Sequence, residues 1–174
     1  MNRHVRAGSL VVLVVAWAVS CASCLGAPSQ PLEPEPLDFA TFRCRVQPVL
    51  TQNCGTFACH GDARRFFVLF GRNRLRLGGA ETERNAPLST EEIEHNYLAA
   101  SAMIDPSDPE RSPLLLKPLE PAAGGWFHVG ATRFGGANVF ESTDDRQYRV
   151  LRDWAMGLRD PSIDDGCIEP GSDL

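Results

Sequence analysis

The sequence lacks three features that would each point to a class of protein. Its longest N-terminal apolar run, residues 10–19, falls well short of the roughly twenty residues that span a bilayer as a helix. Acidic residues outnumber basic ones by 22 to 17, and no polybasic cluster is present. No phosphate-binding glycine loop, nucleophile motif or paired-carboxylate signature is recognisable. We therefore expect neither a membrane-spanning helix, nor nucleic-acid binding, nor an enzyme.

The N-terminus has the pattern of an export signal. Two arginines precede the apolar run, and small residues follow it. Residues 18–21, Ala-Val-Ser-Cys, resemble a bacterial lipobox in which Cys21 would be lipidated, with Cys24 as a second candidate. We expect residues 1–20 to be a lipoprotein-type signal peptide. The exported chain would then be lipid-anchored at the envelope, in the periplasm or at the outer membrane. Ordinary cleavage would instead leave a soluble periplasmic protein.

Composition divides the remaining chain into three parts. Residues 21–37 carry four prolines and two glutamates, which favours an extended tether. Residues 38–160 are long enough to bury one hydrophobic core, so we predict a single domain there. Residues 161–174 form an acidic tail.

Hydrophobic periodicity predicts a mainly α-helical domain with long irregular loops. Asp38 is placed to cap a first helix, which should kink or restart at Pro48. A capping box at residues 89–92 predicts a second helix that stops before Asp105, with His95 on its polar side. Ser142 or Thr143 should cap a last helix, with Leu158 as the end of its inner stripe. Apolar and alternating residues between 66 and 79 predict short extended segments that could form a β-hairpin.

Residues 54–60 read Cys-Gly-Thr-Phe-Ala-Cys-His. Two cysteines followed at once by a histidine are typical of covalently attached haem. The thiols add to the two vinyl groups of one porphyrin, and the histidine binds the iron as proximal ligand. The usual motif has two residues between the cysteines, whereas Cys54 and Cys59 enclose four. Spacers of four occur in some c-type cytochromes. The motif therefore predicts haem bound through Cys54, Cys59 and His60.

Two other interpretations use the same side chains. In an oxidising compartment Cys54 and Cys59 could form a small disulfide, with His60 as an ordinary loop residue. Alternatively, Cys44, Cys54, Cys59 and His60 could bind zinc, although exported proteins seldom keep thiolates for structural zinc.

Residues 124–130, Gly-Gly-Trp-Phe-His-Val-Gly, contain the best candidate for a second axial ligand. His128 stands there among aromatic residues, with glycines that permit close backbone approach. Met103 is the competing ligand, and a methionine would raise the reduction potential.

Outside the motif and the signal region, Cys44 and Cys167 remain. If haem takes the two motif cysteines, this outer pair could form a disulfide that stabilises the fold by roughly 4 kcal/mol. Four cysteines allow three pairings in all, so two ordinary disulfides would fit the count equally well.

Three segments, residues 46–61, 112–134 and 145–157, together resemble the cytochrome c-like domain of planctomycete and myxobacterial exported proteins and lipoproteins. The resemblance covers most of residues 39–158. It implies a cytochrome c-like helical fold that carries one covalent haem c. By this resemblance Cys54 and Cys59 would form the thioethers, His60 the proximal bond and His128 the distal bond.

The sequence thus predicts an exported c-type cytochrome-like protein that carries single electrons between redox protein partners and transforms no substrate. It would meet the membrane through its lipid anchor. The alternative is a cofactor-free, disulfide-stapled envelope lipoprotein that acts as a binding or structural module.

Overall fold

The computed structural model describes residues 36–128, 138–161 and 163, all of which belong to one compact unit. Cys21, Cys24 and Cys167 lie outside these residues. The predictions of a signal peptide, a lipid anchor, a tether and a pairing with Cys167 therefore remain predictions.

Regular secondary structure in the described part of the chain is helical, in agreement with the predicted mainly α-helical class. The α-helices are α1 (Phe39–Thr41), α2 (Gln47–Asn53), α3 (Thr90–Ser101), α4 (Pro113–Leu116) and α5 (Arg146–Ala155). A π-helix, Phe42–Val46, joins α1 to α2, and 3-10 turns cover Gly79–Glu81, Pro109–Arg111 and Pro121–Ala123. None of the described helices is both long enough and apolar enough to cross a membrane.

Pro48 is accommodated within the first helical segment. A proline has no N–H, so the carbonyl four residues earlier loses its α-helical partner. The chain responds upstream of the proline by widening into the π-helix, in which the Gln47 N–H donates to the Phe42 carbonyl. The predicted kink or restart thus takes the form of a π-helical turn. Asp38 caps the segment as predicted, since its carboxylate accepts the Thr41 N–H at 2.7 Å.

Helix α3 begins with the predicted capping box. The Ser89 hydroxyl accepts the Glu92 N–H, and the Glu92 carboxylate accepts the Ser89 N–H. The helix ends at Ser101, four residues before the predicted stop at Asp105. His95 is exposed on this helix, as predicted.

Helix α5 begins later than predicted. Asp145 is its N-cap, because its carboxylate accepts the N–H groups of the second and third helical residues. Ser142 instead accepts the N–H of Asp144 within its own turn. The prediction that Leu158 ends the inner stripe is wrong. The helix ends at Ala155, the chain turns at Gly157 with φ +76°, and Leu158 is exposed.

The expected β-hairpin between residues 66 and 79 is absent, and no strand occurs in residues 36–128 or 138–161. A side chain replaces the neighbouring strand. The Asn96 amide oxygen accepts the Phe70 N–H at 2.8 Å, and its NH₂ donates to the Phe70 carbonyl at 2.8 Å. Because Asn96 satisfies both backbone groups, Phe70 needs no paired strand.

The core packs α5 against the first helical segment and α4. Trp154 is fully buried against Phe42, and its indole N–H donates to the Asp38 carbonyl at 3.0 Å. Other side chains with almost no exposure are Val46, Leu50, Leu69, Leu115, Leu119, Phe140 and Leu151. This packing fixes the C-terminal end of α2, from which the cysteine motif continues.

A buried ion pair joins Arg76 to Glu92, and their side chains are 3% and 2% exposed. The guanidinium donates two bonds to the carboxylate, at 2.9 and 2.8 Å, and its remaining donors bind carbonyls of residues 83–87. Glu92 also accepts the N–H groups of Leu77 and Ser89. Burial favours a raised pKa for Glu92, but these hydrogen bonds outweigh it, and the pKa lies below its ordinary value of 4.5. We call this arrangement the Glu92 cluster.

Candidate functional site

The loop between the two cysteines closes on itself. Cys54 is the C-cap of α2, and its carbonyl accepts the His60 N–H at 3.0 Å. Inside that loop the Thr56 carbonyl accepts the N–H groups of Cys59 and Gly61 at 2.8 and 2.9 Å. The four-residue spacer is therefore taken up by a hydrogen-bonded loop that returns Cys59 and His60 to the end of α2.

Gly61 makes this closure possible. A Cβ at this position would lie 2.3 Å from the Gly55 carbonyl oxygen and 2.9 Å from the Thr56 carbonyl carbon. Both atoms belong to the backbone, so a side chain could not be accepted without moving the loop. The glycine after the motif histidine thus allows the two ends of the loop to meet.

Cys54 and Cys59 are thiols in this structure and are not joined in a disulfide. Burial, with a smaller contribution from Cys59, raises the pKa of Cys54 to about 12. Cys54 is therefore protonated at neutral pH. Cys44 is disulfide-bonded, and the partner predicted for it, Cys167, lies outside the described residues.

His60 is held in a defined tautomer. Its Nδ1 lies 2.9 Å from the Phe67 carbonyl oxygen, and a carbonyl can only accept, so Nδ1 carries the proton. The Phe67 ring also meets the imidazole edge to face, with centroids 4.7 Å apart. Burial lowers the pKa of His60, with further lowering by His128 and Arg65, so the ring is neutral at pH 7. Nε2 is then left with a lone pair for a ligand.

His128 is brought back to the motif by a close backbone crossing. The Gly125 N–H donates to the Glu120 carbonyl at 3.1 Å, and the Trp126 N–H donates to the Leu116 carbonyl at 2.7 Å. A Cβ at Gly125 would lie 1.9 Å from the Leu119 carbonyl oxygen. Glycine at this position therefore allows residues 125–128 to run against the chain that follows α4.

The two predicted axial ligands lie together. The ring centroids of His60 and His128 are 6.0 Å apart, and the ring planes are inclined by only 12°. Burial lowers the pKa of His128, and the nearby Lys117 charge lowers it further. Both imidazoles are therefore neutral near pH 7 and able to act as lone-pair donors.

One cavity of about 350 Å³ is lined by all five side chains predicted for the haem site. These are Cys54, Cys59, His60, His128 and the alternative ligand Met103. The rest of its lining is largely apolar: Leu50, Asn53, Arg65, Phe66, Phe67, Pro113, Leu114, Lys117, Pro118, Val139 and Leu151. Phe66, on this lining, is 96% exposed, which is unusual for a large apolar side chain.

The zinc alternative has little support. The described residues contain no group of three or more His, Cys, Asp or Glu side chains that could hold a metal ion. Cys44, one of the four suggested zinc ligands, is in a disulfide. His95 packs edge to face on Phe70 and does not line the cavity.

Comparison with known proteins identifies no relative. No protein-family model, curated protein or solved structure matches this chain.

Sequence reasoning missed two cations on the cavity lining, Arg65 and Lys117, and the carbonyl that orients His60. Lys117 is the only lysine in the sequence, a signal that was available in the composition. Nothing in the sequence indicated that the Phe67 carbonyl orients His60, because any residue at position 67 has the same backbone carbonyl.

Proposed function

We propose that this protein is an exported c-type cytochrome that carries one covalent haem and transfers single electrons between redox protein partners. The observation that carries the proposal is the parallel pair of neutral imidazoles, His60 and His128, on the same cavity as the thiols of Cys54 and Cys59. The lipid anchor at Cys21 or Cys24 remains part of the proposal on sequence grounds.

The separation of the imidazoles fits two ligands of one metal ion. Two imidazoles that shared one metal ion through bonds of about 2.0–2.1 Å would have ring centroids no more than about 6 Å apart. The observed distance is 6.0 Å. Two imidazoles are too few to hold an ion alone, whereas haem brings four nitrogens of its own. The residues present therefore fit this cofactor better than a bare metal ion.

The chain's own groups have distinct roles in this proposal. Cys54 and Cys59 would hold the haem covalently, and His60, oriented by the Phe67 carbonyl, would be the proximal ligand. His128 would be the distal ligand in preference to Met103, because its ring is paired with that of His60. When bound, the haem iron would supply the one-electron couple.

The apolar lining supports the same function. Leu50, Leu114 and Leu151 would exclude water from the porphyrin faces, which tunes the reduction potential. Phe66, as an exposed apolar side chain on the lining, would be covered by the macrocycle.

The proposal is tested by making the protein in cells that contain c-type maturation machinery. The purified chain should show a Soret band that stays with the polypeptide through denaturing electrophoresis. Cys54→Ser with Cys59→Ser should abolish the band, because no thioether can form. A colourless wild-type protein, made alongside a control cytochrome that matures normally, would contradict the proposal.

His95→Ala is the matched control for histidine content. His95 is exposed and lies outside the cavity lining. Its removal should leave haem attachment and the spectrum unchanged, whereas His60→Ala should prevent normal low-spin haem.

A further inference from the structure

The charges on the cavity lining have one sign. Among the described residues that line it, Arg65 and Lys117 are the only ones with a permanent charge, and none is an aspartate or glutamate. This contrasts with the whole chain, whose net charge is −5. The cavity is therefore a locally cationic region in an acidic protein.

The two cations share the cavity with the two imidazoles. Burial is the main cause of the lowered pKa of each histidine, and the charge of Arg65 adds to it for His60 and that of Lys117 for His128. The two cations therefore lie on the lining that also carries both candidate haem ligands.

Neither cation is paired with a carboxylate in the described part of the chain. Arg65 donates to the Ala58 carbonyl over a long 3.4 Å, and the Lys117 ammonium lies 5.8 Å from the centre of the Trp126 ring. The adjacent Arg64 behaves differently, because it binds Asp62 through two hydrogen bonds of 3.0 and 2.8 Å. Arg65 and Lys117 can therefore still accept an anionic ligand.

We propose that Arg65 and Lys117 bind the ionised carboxylates of the tetrapyrrole, so that the cavity selects a porphyrin that carries acidic side chains. This inference rests on the proposed haem function and adds a specificity to it. Carboxylic acids of ordinary pKa, about 4, are ionised at neutral pH, and an acidic protein repels them unless local cations offset its charge. The two cations supply that offset at the cavity itself.

Reversible binding tests the inference. The full chain with Cys54→Ala and Cys59→Ala cannot attach porphyrin covalently, so affinities can be measured by absorbance titration. The probes are ferric protoporphyrin IX and its dimethyl ester, which lacks both charges. We expect the free acid to bind at least about tenfold more tightly, the size expected for charge-assisted contacts at partly exposed groups. The preference should shrink at high salt.

A second experiment removes the two positive charges from the cavity lining. Arg65→Gln with Lys117→Gln, in the same background, should weaken binding of the free acid and leave the ester's affinity unchanged. Arg64→Gln is the matched control and should leave the tenfold preference intact. All three positions are exposed, and circular dichroism checks that each variant is folded.

The two hypotheses fail in different ways. Equal affinity for acid and ester, or a preference that survives the double glutamine variant, would overturn the carboxylate inference and leave the haem proposal standing. A folded chain that binds neither porphyrin would overturn both.

Discussion

The Glu92 cluster and the cavity lined by His60 and His128 are two groups of ionisable side chains. They differ in how many hydrogen-bond partners the protein supplies to them. In the Glu92 cluster, both carboxylate oxygens and the guanidinium have protein partners within 3.0 Å. On the cavity, two imidazoles lie parallel at 6.0 Å, two thiols remain unjoined to each other, and a phenylalanine is 96% exposed.

This difference separates polar groups that stabilise the fold from those that we propose bind haem. A buried charge is tolerated only when hydrogen bonds replace its lost water, as they do around Glu92. On the cavity, burial lowers the pKa of His60 and His128, so both imidazoles are neutral near pH 7, and their rings lie parallel with centroids 6.0 Å apart. Changes in the first region should therefore alter stability most, and changes in the second should alter the spectrum most.

The largest stability effect is expected for Glu92→Ala. The change leaves the Arg76 charge buried without its partner and removes the capping box of α3. Breaking a buried ion pair in this way typically costs about 3–5 kcal/mol in the free energy of unfolding. Urea denaturation of the haem-free chain would measure it. Glu94→Ala, an exposed change on the same helix, should stay within about 0.5 kcal/mol; a similar loss in both variants would refute the distinction.

Gly61→Ala should have the next largest effect. The new methyl would meet the Gly55 carbonyl, and forced backbone shifts of this kind cost about 1–3 kcal/mol. Because the loop carries both Cys59 and His60, haem attachment should also fall. Gly71→Ala is the milder comparison, since the nearest atoms to its Cβ belong to the side chains of Arg74, at 3.0 Å, and Thr51, at 3.4 Å, which can move more easily than backbone. Thermal unfolding and haem content of the two variants should therefore diverge; equal behaviour would count against the tight loop.

The Glu92 cluster also predicts a pH dependence. The pKa of Glu92 is lowered in the folded chain, so its stabilising contribution is complete above the unfolded value of about 4.5. That contribution is lost as the pH falls through the lower folded-state pKa. Urea midpoints measured between pH 7 and pH 3 should decline less steeply in Glu92→Gln than in the wild type. Parallel declines would show that other carboxylates dominate.

His128→Ala should change stability least and the spectrum most. The half-buried imidazole supports little of the core, so we expect a loss of only about 1 kcal/mol in the haem-free chain. In the haem-loaded protein, absorption and electron paramagnetic resonance spectra should shift from six-coordinate low-spin to high-spin. Met103→Ala is the control and should keep the low-spin spectrum. Retention of low-spin haem in His128→Ala, with loss in Met103→Ala, would reverse the ligand assignment.

Local features were predictable from sequence because their causes are local. The caps at Asp38 and Ser89 depend on a few neighbouring residues, and the structure forms both. The two cysteines and two histidines that line the cavity were also predictable. A histidine directly after a cysteine, and a histidine flanked by glycines, are patterns visible in the sequence alone. The 6.0 Å approach of the two imidazoles was not predictable from their spacing in the sequence. It depends on the close approach of the Gly125 backbone to the Leu119 carbonyl.

The failures have a different origin. The hairpin was expected from an apolar and alternating pattern, but Asn96, on another element, satisfies the Phe70 backbone. Helix α5 begins two or three residues later than predicted because Ser142, Thr143 and Asp145 are all good caps, and the choice depends on which turn forms before them. Both errors come from polar side chains whose partners are chosen by tertiary structure.

Mass spectrometry of the mature protein, exported from cells with c-type maturation machinery, tests the central claim most directly. The account predicts a chain whose mass is increased by one haem, with the added mass on the peptide that contains residues 54–60. A chain without added mass, in which Cys54 and Cys59 are joined as cystine, would contradict it.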